Sequence, residues 1–151
     1  MIEFEIEPLV GVGPIRLGSS RTQVRAILGA PIEPLRGERE MYFDGFFVDY
    51  DETDRVEFIE LARSEQYRAT FLGIALHDAP AEQALALIST LDDHDPYDAE
   101  PGYSYIFVGL QLSLWRGSVP DPDQPVSDSD GRHFEAVGVG RLGYFTAGEP
   151  S

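Results

Sequence analysis

The chain contains no cysteine and no lysine. Its 151 residues include 27 Asp and Glu against 11 basic residues, all of them arginine, and the formal net charge is −16. Without cysteine there is no disulfide, no thiolate nucleophile and no zinc site with sulfur ligands. The excess negative charge repels nucleic acid and anionic membranes and attracts basic partners. The composition therefore predicts no nucleic-acid or membrane partner and favours a basic protein partner.

Long apolar segments and targeting patterns are also lacking. No run approaches the roughly 20 apolar residues of a membrane span, and the first seven residues, MIEFEIE, lack the basic region and apolar run of a signal peptide. We therefore expect a cytoplasmic protein. The hydrophobic fraction of 42% can supply a core, and the length fits a single domain, 1–151. The acidity either serves binding or reflects a biased genome, and both explanations stay open.

Two similar halves, 10–63 and 70–146, divide the sequence. Each has a short apolar segment, then a helix pattern, then alternating apolar and polar residues typical of strands. The alternation predicts strands at Met41–Tyr50, Arg55–Ala62, Tyr103–Leu114 and His133–Phe145. We predict an α+β fold: a twisted, mostly antiparallel β-sheet with two helices on one face, built from two strand–helix–strand–strand units. Alternating segments also resemble one another without common origin, so both a tandem repeat and coincidence remain open.

The helix boundaries follow from capping residues. Ser20 with Gln23 three residues later forms a capping box that begins a helix running to Leu28. The second helix is expected over Asp78–Leu91, with Asp78 as its cap. Val24, Ile27 and Leu28 lie on one face of the first helix, and the expected buried stripe of the second is Ala84, Leu85, Ile88 and Leu91.

Two motifs match known ligand sites by spacing alone. Asp49–Glu60 places oxygen ligands as in an EF-hand calcium loop, but Asp54 stands where the sharp turn needs glycine, and strands rather than helices flank it. We interpret it as a hairpin turn. Gly138–Gly143 reads G-x-G-x-x-G, yet only eight residues follow it, so no nucleotide-binding helix can form there.

Catalytic patterns are equally weak. The three histidines, His77, His94 and His133, show no metal-binding spacing, and no G-x-S-x-G motif is present. His94 is the strongest of them because it lies between Asp93 and Asp95, which would raise its basicity. We predict no catalytic residue, no metal and no cofactor.

Acidic loops next to aromatic residues are the best functional signal. Exposed aromatics beside charged residues are typical of protein-binding surfaces. The candidate partner-binding residues are Asp92, Asp93, Asp95, Tyr97, Asp98, Tyr103, Trp115, Asp121, Asp123, Asp128 and Asp130.

The segment Gly13–Pro31 resembles the GxxxxGMTrxqVxxxLGxP segment of the SmpA/OmlA small lipoproteins and of β-lactamase-inhibitor-like domains. The resemblance implies a helix packed on an antiparallel sheet, and the inhibitor itself is a tandem repeat. Ser19 replaces the usual Met, and without a lipidation cysteine the lipoprotein role is not implied. The hairpin Asp49–Leu61 is also similar to small cytosolic proteins found among bacterial toxin-immunity proteins.

The sequence thus favours a non-catalytic, acidic protein-binding module of immunity or inhibitor type that engages a basic protein. In that hypothesis the acidic loops steer association and the aromatics supply the binding energy. A small-ligand or cation-binding domain is the alternative, and an enzyme with acid/base carboxylates ranks third.

Overall fold

The computed structural model of the chain describes residues 2–32, 38–95, 103–117 and 132–146. In these ranges the α+β fold is confirmed, with two helices and two β-sheets. The elements are β1 Ile2–Glu7, β2 Gly11–Val12, β3 Ile15–Arg16, α1 Arg21–Leu28, β4 Arg39–Tyr42, β5 Phe46–Tyr50, β6 Val56–Ala62, β7 Tyr67–Phe71, β8 Ile74–Ala75, α2 Ala81–Ser89, β9 Ser104–Phe107, β10 Leu112–Trp115 and β11 Ala136–Gly140.

The strands form two sheets where the sequence suggested one. The smaller sheet has the order β3-β2-β1-β7-β8 and is mixed, because β1 and β7 are parallel. The larger has the order β4-β5-β6-β11-β10-β9, and its neighbouring strands are all antiparallel. A short connection from Ala62 to Tyr67 carries the chain from the larger sheet back to the smaller one.

The element order is the same in the two halves. Each half has a short hairpin (β2-β3 or β7-β8), a helix, and a three-stranded meander (β4-β5-β6 or β9-β10-β11). The two meanders meet where β6 pairs with β11, and the two hairpins flank β1. The unit is therefore larger than the expected strand–helix–strand–strand, since the expected strand Tyr103–Leu114 is the hairpin β9-β10.

Helix α1 begins as its cap residues predict. The Gln23 backbone N–H donates to Ser20 Oγ at 3.2 Å, and the Ser20 N–H donates to Gln23 Oε1 at 2.9 Å, so the capping box is complete. The helix ends at Gly29, whose φ of 87° favours glycine. Val24 is fully buried, whereas Ile27 is 52% exposed.

Helix α2 is shorter than expected. It covers Ala81–Ser89, and Pro80 rather than Asp78 occupies the N-cap position, with no side-chain cap hydrogen bond. Ala81, Ala84 and Ile88 are buried, but Leu91 lies beyond the helix and is 53% exposed. None of the helices in the described ranges is long and apolar enough to cross a membrane.

The two sheets share one core. Phe4 of β1 contacts Phe46 of β5 edge-on, with 5.3 Å between ring centroids, and Phe46 packs against Tyr67 of β7 at 5.7 Å. Buried residues of both helices belong to the same cluster. The core thus fixes one face of the larger sheet, and the opposite face remains for other contacts.

Candidate functional site

The larger sheet turns one side toward the core and the other side outward. Successive residues of a strand point to opposite faces, and the strand register places Leu112, Val139 and Ile59 in one row on the buried side. The alternate residues form what we call the outer face. Its members are Arg39, Met41, Phe47, Asp49, Phe58, Glu60, Ala62, Ser104, Ile106, Ser113, Trp115, Ala136, Gly138 and Gly140.

Small residues occupy the middle of the outer face. A Cβ on Gly138 would lie 2.3 Å from Ser113 Oγ and 2.7 Å from the Phe58 ring, so the local packing requires glycine. The adjacent row contains Ala62 and Ala136. This strand glycine marks a close approach of neighbouring groups.

The C-terminal segment covers one end of the outer face. Tyr144 stacks on Phe58 with 4.5 Å between centroids and 3° between ring planes. The side chain of Gln111, which is 2% exposed, binds the main chain of Phe145 at both N–H and carbonyl. This end of the face is therefore already occupied by the chain itself.

A charged group lies at the β4 side of the outer face. The Arg39 guanidinium lies 4.9 Å from the centre of the Phe47 ring and binds Asp49 at 2.6 Å and Glu60 at 3.0 Å. The hydrogen bond to Asp49 keeps the pKa of Arg39 well above its ordinary value, although burial opposes it. Arg39 thus already satisfies the carboxylates and the aromatic face that surround it.

The opposite end of the outer face has an aromatic ring and a carboxylate without such a cation. Trp115, the last residue of β10, is 41% exposed. Its Cη2 atom and Glu135 Oε2 lie 3.3 and 3.0 Å from the position that a Cβ of Gly117 would take, so the two groups lie side by side. The Gly117 N–H donates to Glu135 Oε2 at 3.0 Å and fixes the carboxylate there. No arginine of the described ranges lies within ion-pair distance of Glu135. We call this pair the Trp115–Glu135 site.

Tyr103 lies close to this site because it precedes β9, the strand that pairs with β10. Trp115 is opposite Ser104, and the Arg116 N–H donates to the Tyr103 carbonyl at 2.9 Å. Tyr103 is 43% exposed, but strand alternation directs it to the face opposite to that of Trp115. The two predicted aromatic anchors are therefore neighbours that do not share one surface.

The predicted acidic residues before β9 have different environments. Asp92 Oδ2 accepts the Leu110 N–H at 3.2 Å, so its carboxylate holds the β9-β10 turn. Asp95 is 9% exposed, and its N–H donates to the Ile106 carbonyl at 2.7 Å along the edge of β9. Asp93 is exposed. Of these three residues, Asp93 is the exposed one, whereas Asp92 and Asp95 contact the hairpin.

The other predicted binding residues lie outside the described ranges. They are Tyr97, Asp98, Asp121, Asp123, Asp128 and Asp130. They remain predictions from the sequence.

A buried polar cluster joins α1 to β4 and β5. Glu40 is 4% exposed and binds Arg25, Arg21 (3.3 Å) and the Tyr42 hydroxyl (3.0 Å). Burial alone would raise the pKa of Glu40, but hydrogen bonds from Arg25 and Tyr42 outweigh it, and the pKa is lowered. Tyr50 lies beneath Arg21, whose Cζ is 4.2 Å from the ring centre. The side chains of Glu40, Arg21, Arg25 and Tyr42 satisfy one another and attach the helix, which is a structural role.

The calcium-loop motif is a hairpin turn, as predicted. Asp51 Oδ1 accepts hydrogen bonds from the Thr53 N–H (2.8 Å), the Thr53 hydroxyl (2.7 Å) and the Arg55 N–H (3.1 Å). The bonds from Thr53 and Arg55 hold the pKa of Asp51 well below its usual range. Asp51 is thus a turn residue, and in the described ranges no group of three or more acidic or histidine side chains could hold a metal ion.

No protein-family model, curated protein or solved structure matches the chain. The resemblance of Gly13–Pro31 to lipoprotein and inhibitor domains therefore stays an expectation.

The residue that sequence reasoning missed is Glu135. It lies 20 positions after Trp115 in the sequence, beyond a long Pro- and Asp-rich segment, and only the pairing of β10 with β11 brings the two together. A carboxylate at the start of an alternating strand carries no special signal in a chain with 27 acidic residues.

Proposed function

We propose that the protein is a non-catalytic protein-binding module, of immunity or inhibitor type, that engages a basic partner protein. The Trp115–Glu135 site carries this proposal. An exposed indole ring beside a carboxylate suits an arginine or lysine side chain, which can stack on the ring while it pairs with the acid. Tryptophan is also among the residues that most often dominate binding energy at interfaces.

The surroundings of the site support the same kind of partner. Ala136 and Ala62, next to Trp115 in its row of the outer face, leave a shallow surface on which a partner can pack closely. On this same face, the Arg39 guanidinium lies against an aromatic ring and pairs with two carboxylates. A basic side chain of the partner would make the same kind of contact at Trp115 and Glu135. The net charge of −16 adds attraction over longer distances, which raises the association rate more than the affinity.

The function is tested by affinity capture with variants. The tagged protein, Trp115→Ala, Glu135→Gln and the control Glu5→Gln are each incubated with lysate of the source cells at low and high salt. Glu5→Gln removes the same charge from an exposed position of β1. We expect one stoichiometric basic protein to bind the original chain and the control at low salt.

The two site variants decide the result. Loss of that protein from Trp115→Ala and Glu135→Gln supports the proposal. Equal capture by all four chains would show that the site plays no part, and a captured protein with net negative charge would contradict the basic partner.

A further inference from the structure

A second feature, unrelated to the outer face, is a cavity of about 230 Å³ at the connection between β6 and β7. Its lining residues are Arg63, Ser64, Glu65, Tyr67, Arg68, His77 and Asp78. Binding sites for drug-sized molecules usually measure about 300–1,000 Å³, so this cavity suits a smaller ligand. Two arginines and two carboxylates, those of Glu65 and Asp78, line this one small space.

His77 contributes a hydrogen-bond acceptor to the cavity. The residue is 6% exposed, and its Nε2 lies 2.8 Å from the Leu61 carbonyl oxygen. Because a carbonyl only accepts, Nε2 carries the proton. Burial lowers the pKa of His77, so the ring is neutral near pH 7. Nδ1 then has a free lone pair and can accept a hydrogen bond from a ligand.

The two arginines contribute donors. Arg68 binds Asp78 through Nε at 3.0 Å and approaches Glu3 through another nitrogen at 3.9 Å. Arg63 lies 3.8 Å from Asp78, which is long for an ion pair. A guanidinium has five N–H donors, so both arginines retain donors for an anion.

Asp78 restricts which anions can enter. Its carboxylate lies between the arginines and repels a second fully ionised group. An anion that keeps one proton can also donate a hydrogen bond to an acceptor in the lining. The lining therefore combines donors for charged oxygens with an acceptor for one hydroxyl group.

We propose that this cavity binds inorganic hydrogenphosphate. Arg63 and Arg68 contact its charged oxygens, and its P–OH group donates to His77 Nδ1. Sulfate has the same shape and charge but no proton, and a phosphate monoester at this pH is mostly a dianion without one. Sulfate and the phosphate monoester should therefore bind much more weakly than hydrogenphosphate.

The test is isothermal titration calorimetry of the full chain at about pH 7.5, with inorganic phosphate, sulfate and O-phosphoserine at matched ionic strength. We expect saturable one-to-one binding of phosphate and at least about tenfold weaker binding of the other two. Arg63→Gln should weaken phosphate binding by about tenfold. Arg16→Gln, which alters an exposed arginine paired with Glu7 elsewhere, should not.

Nitrogen NMR gives an independent readout. Addition of phosphate should shift the His77 Nδ1 resonance and leave those of His94 and His133 in place. Absence of phosphate binding, equal binding of sulfate or phosphoserine, unchanged affinity in Arg63→Gln, or an unmoved His77 resonance would each overturn the proposal. None of these results bears on the Trp115–Glu135 site.

Discussion

Gln111 holds the main chain of Phe145 with both ends of its side-chain amide. Its Nε2 donates to the Phe145 carbonyl at 2.9 Å, and its Oε1 accepts the Phe145 N–H at 2.7 Å. The two residues are 34 positions apart, so this contact fastens the C-terminal segment across the end of β10. The same segment places Tyr144 over Phe58 and closes that end of the outer face.

Replacement of Gln111 with alanine should release this segment. The partly buried main-chain groups of Phe145 would lose their partners, and we expect the free energy of unfolding to fall by about 1–3 kcal/mol. Denaturant titration measures that loss, and hydrogen exchange of the Phe145 amide should accelerate.

The matched control is Gln66→Ala. The exposed Gln66 side chain accepts one hydrogen bond, from the Asp44 N–H at 2.6 Å, and its loss should cost less. Equal losses of stability in the two variants, with unchanged exchange at Phe145, would contradict the role of Gln111.

Two buried tyrosines of the α1 cluster should respond differently to loss of their hydroxyl groups. The Tyr42 hydroxyl donates to Glu40, whereas the Tyr50 hydroxyl has no hydrogen-bond partner among the described residues. Tyr42→Phe should lower the free energy of unfolding by about 1 kcal/mol, and Tyr50→Phe should leave it unchanged or raise it. Thermal unfolding of the Tyr42→Phe and Tyr50→Phe variants measures these two changes in stability. A larger loss in Tyr50→Phe would show that its hydroxyl is bonded after all.

Acid should weaken the attachment of α1. The pKa of Glu40 is lowered because hydrogen bonds from Arg25 and Tyr42 outweigh burial, and hydrogen bonds from Arg21 lower the pKa of Asp54. A carboxyl with a lowered pKa in the folded protein stabilises it above the unfolded value of about 4 and loses that effect as pH falls further. Stability should therefore be full above about pH 5 and decline below it.

Glu40→Gln tests this acid dependence. The variant should flatten the decline by at most about 1.4 kcal/mol per pH unit, the value for one proton, in denaturant titrations between about pH 5 and 2.5. Glu5→Gln, at an exposed position of β1, serves as control. Identical slopes in the original chain and in Glu40→Gln would show that Glu40 does not titrate during unfolding.

The sequence predicted correctly those features that are held by residues close together in the chain. Ser20 and Gln23 cap α1 because they are three residues apart, and Asp51 holds its turn through neighbours in the chain. The β9-β10 turn was missed because its support comes from distant groups. Asp92 binds Leu110 from 18 residues away, and Gln111 adopts a φ of 55° that its residue type does not suggest.

The candidate site also combines a feature that the sequence predicted with one that depends on residues distant in the chain. An exposed Trp115 was expected from the sequence, but Glu135 reaches it only through the register of β10 against β11. The acidic residues Asp92 and Asp95 looked equally suited to binding, yet the Asp92 carboxylate holds the hairpin that follows and the Asp95 main-chain N–H binds its edge. Net charge and composition cannot separate a carboxylate that supports a turn from one that faces a partner.

The central claim is that Trp115 and Glu135 together receive a basic side chain. Trp115 is the only tryptophan, so its fluorescence reports on the site directly. We would titrate the chain, Glu135→Gln and Glu5→Gln with a tetra-arginine peptide at low salt, with tetraglutamate as the comparison ligand. The account predicts a saturable fluorescence change with tetra-arginine in the original chain and in Glu5→Gln, several-fold weaker binding in Glu135→Gln, and no change with tetraglutamate. No saturable change with tetra-arginine, or the same affinity in Glu135→Gln as in the original chain, would contradict it.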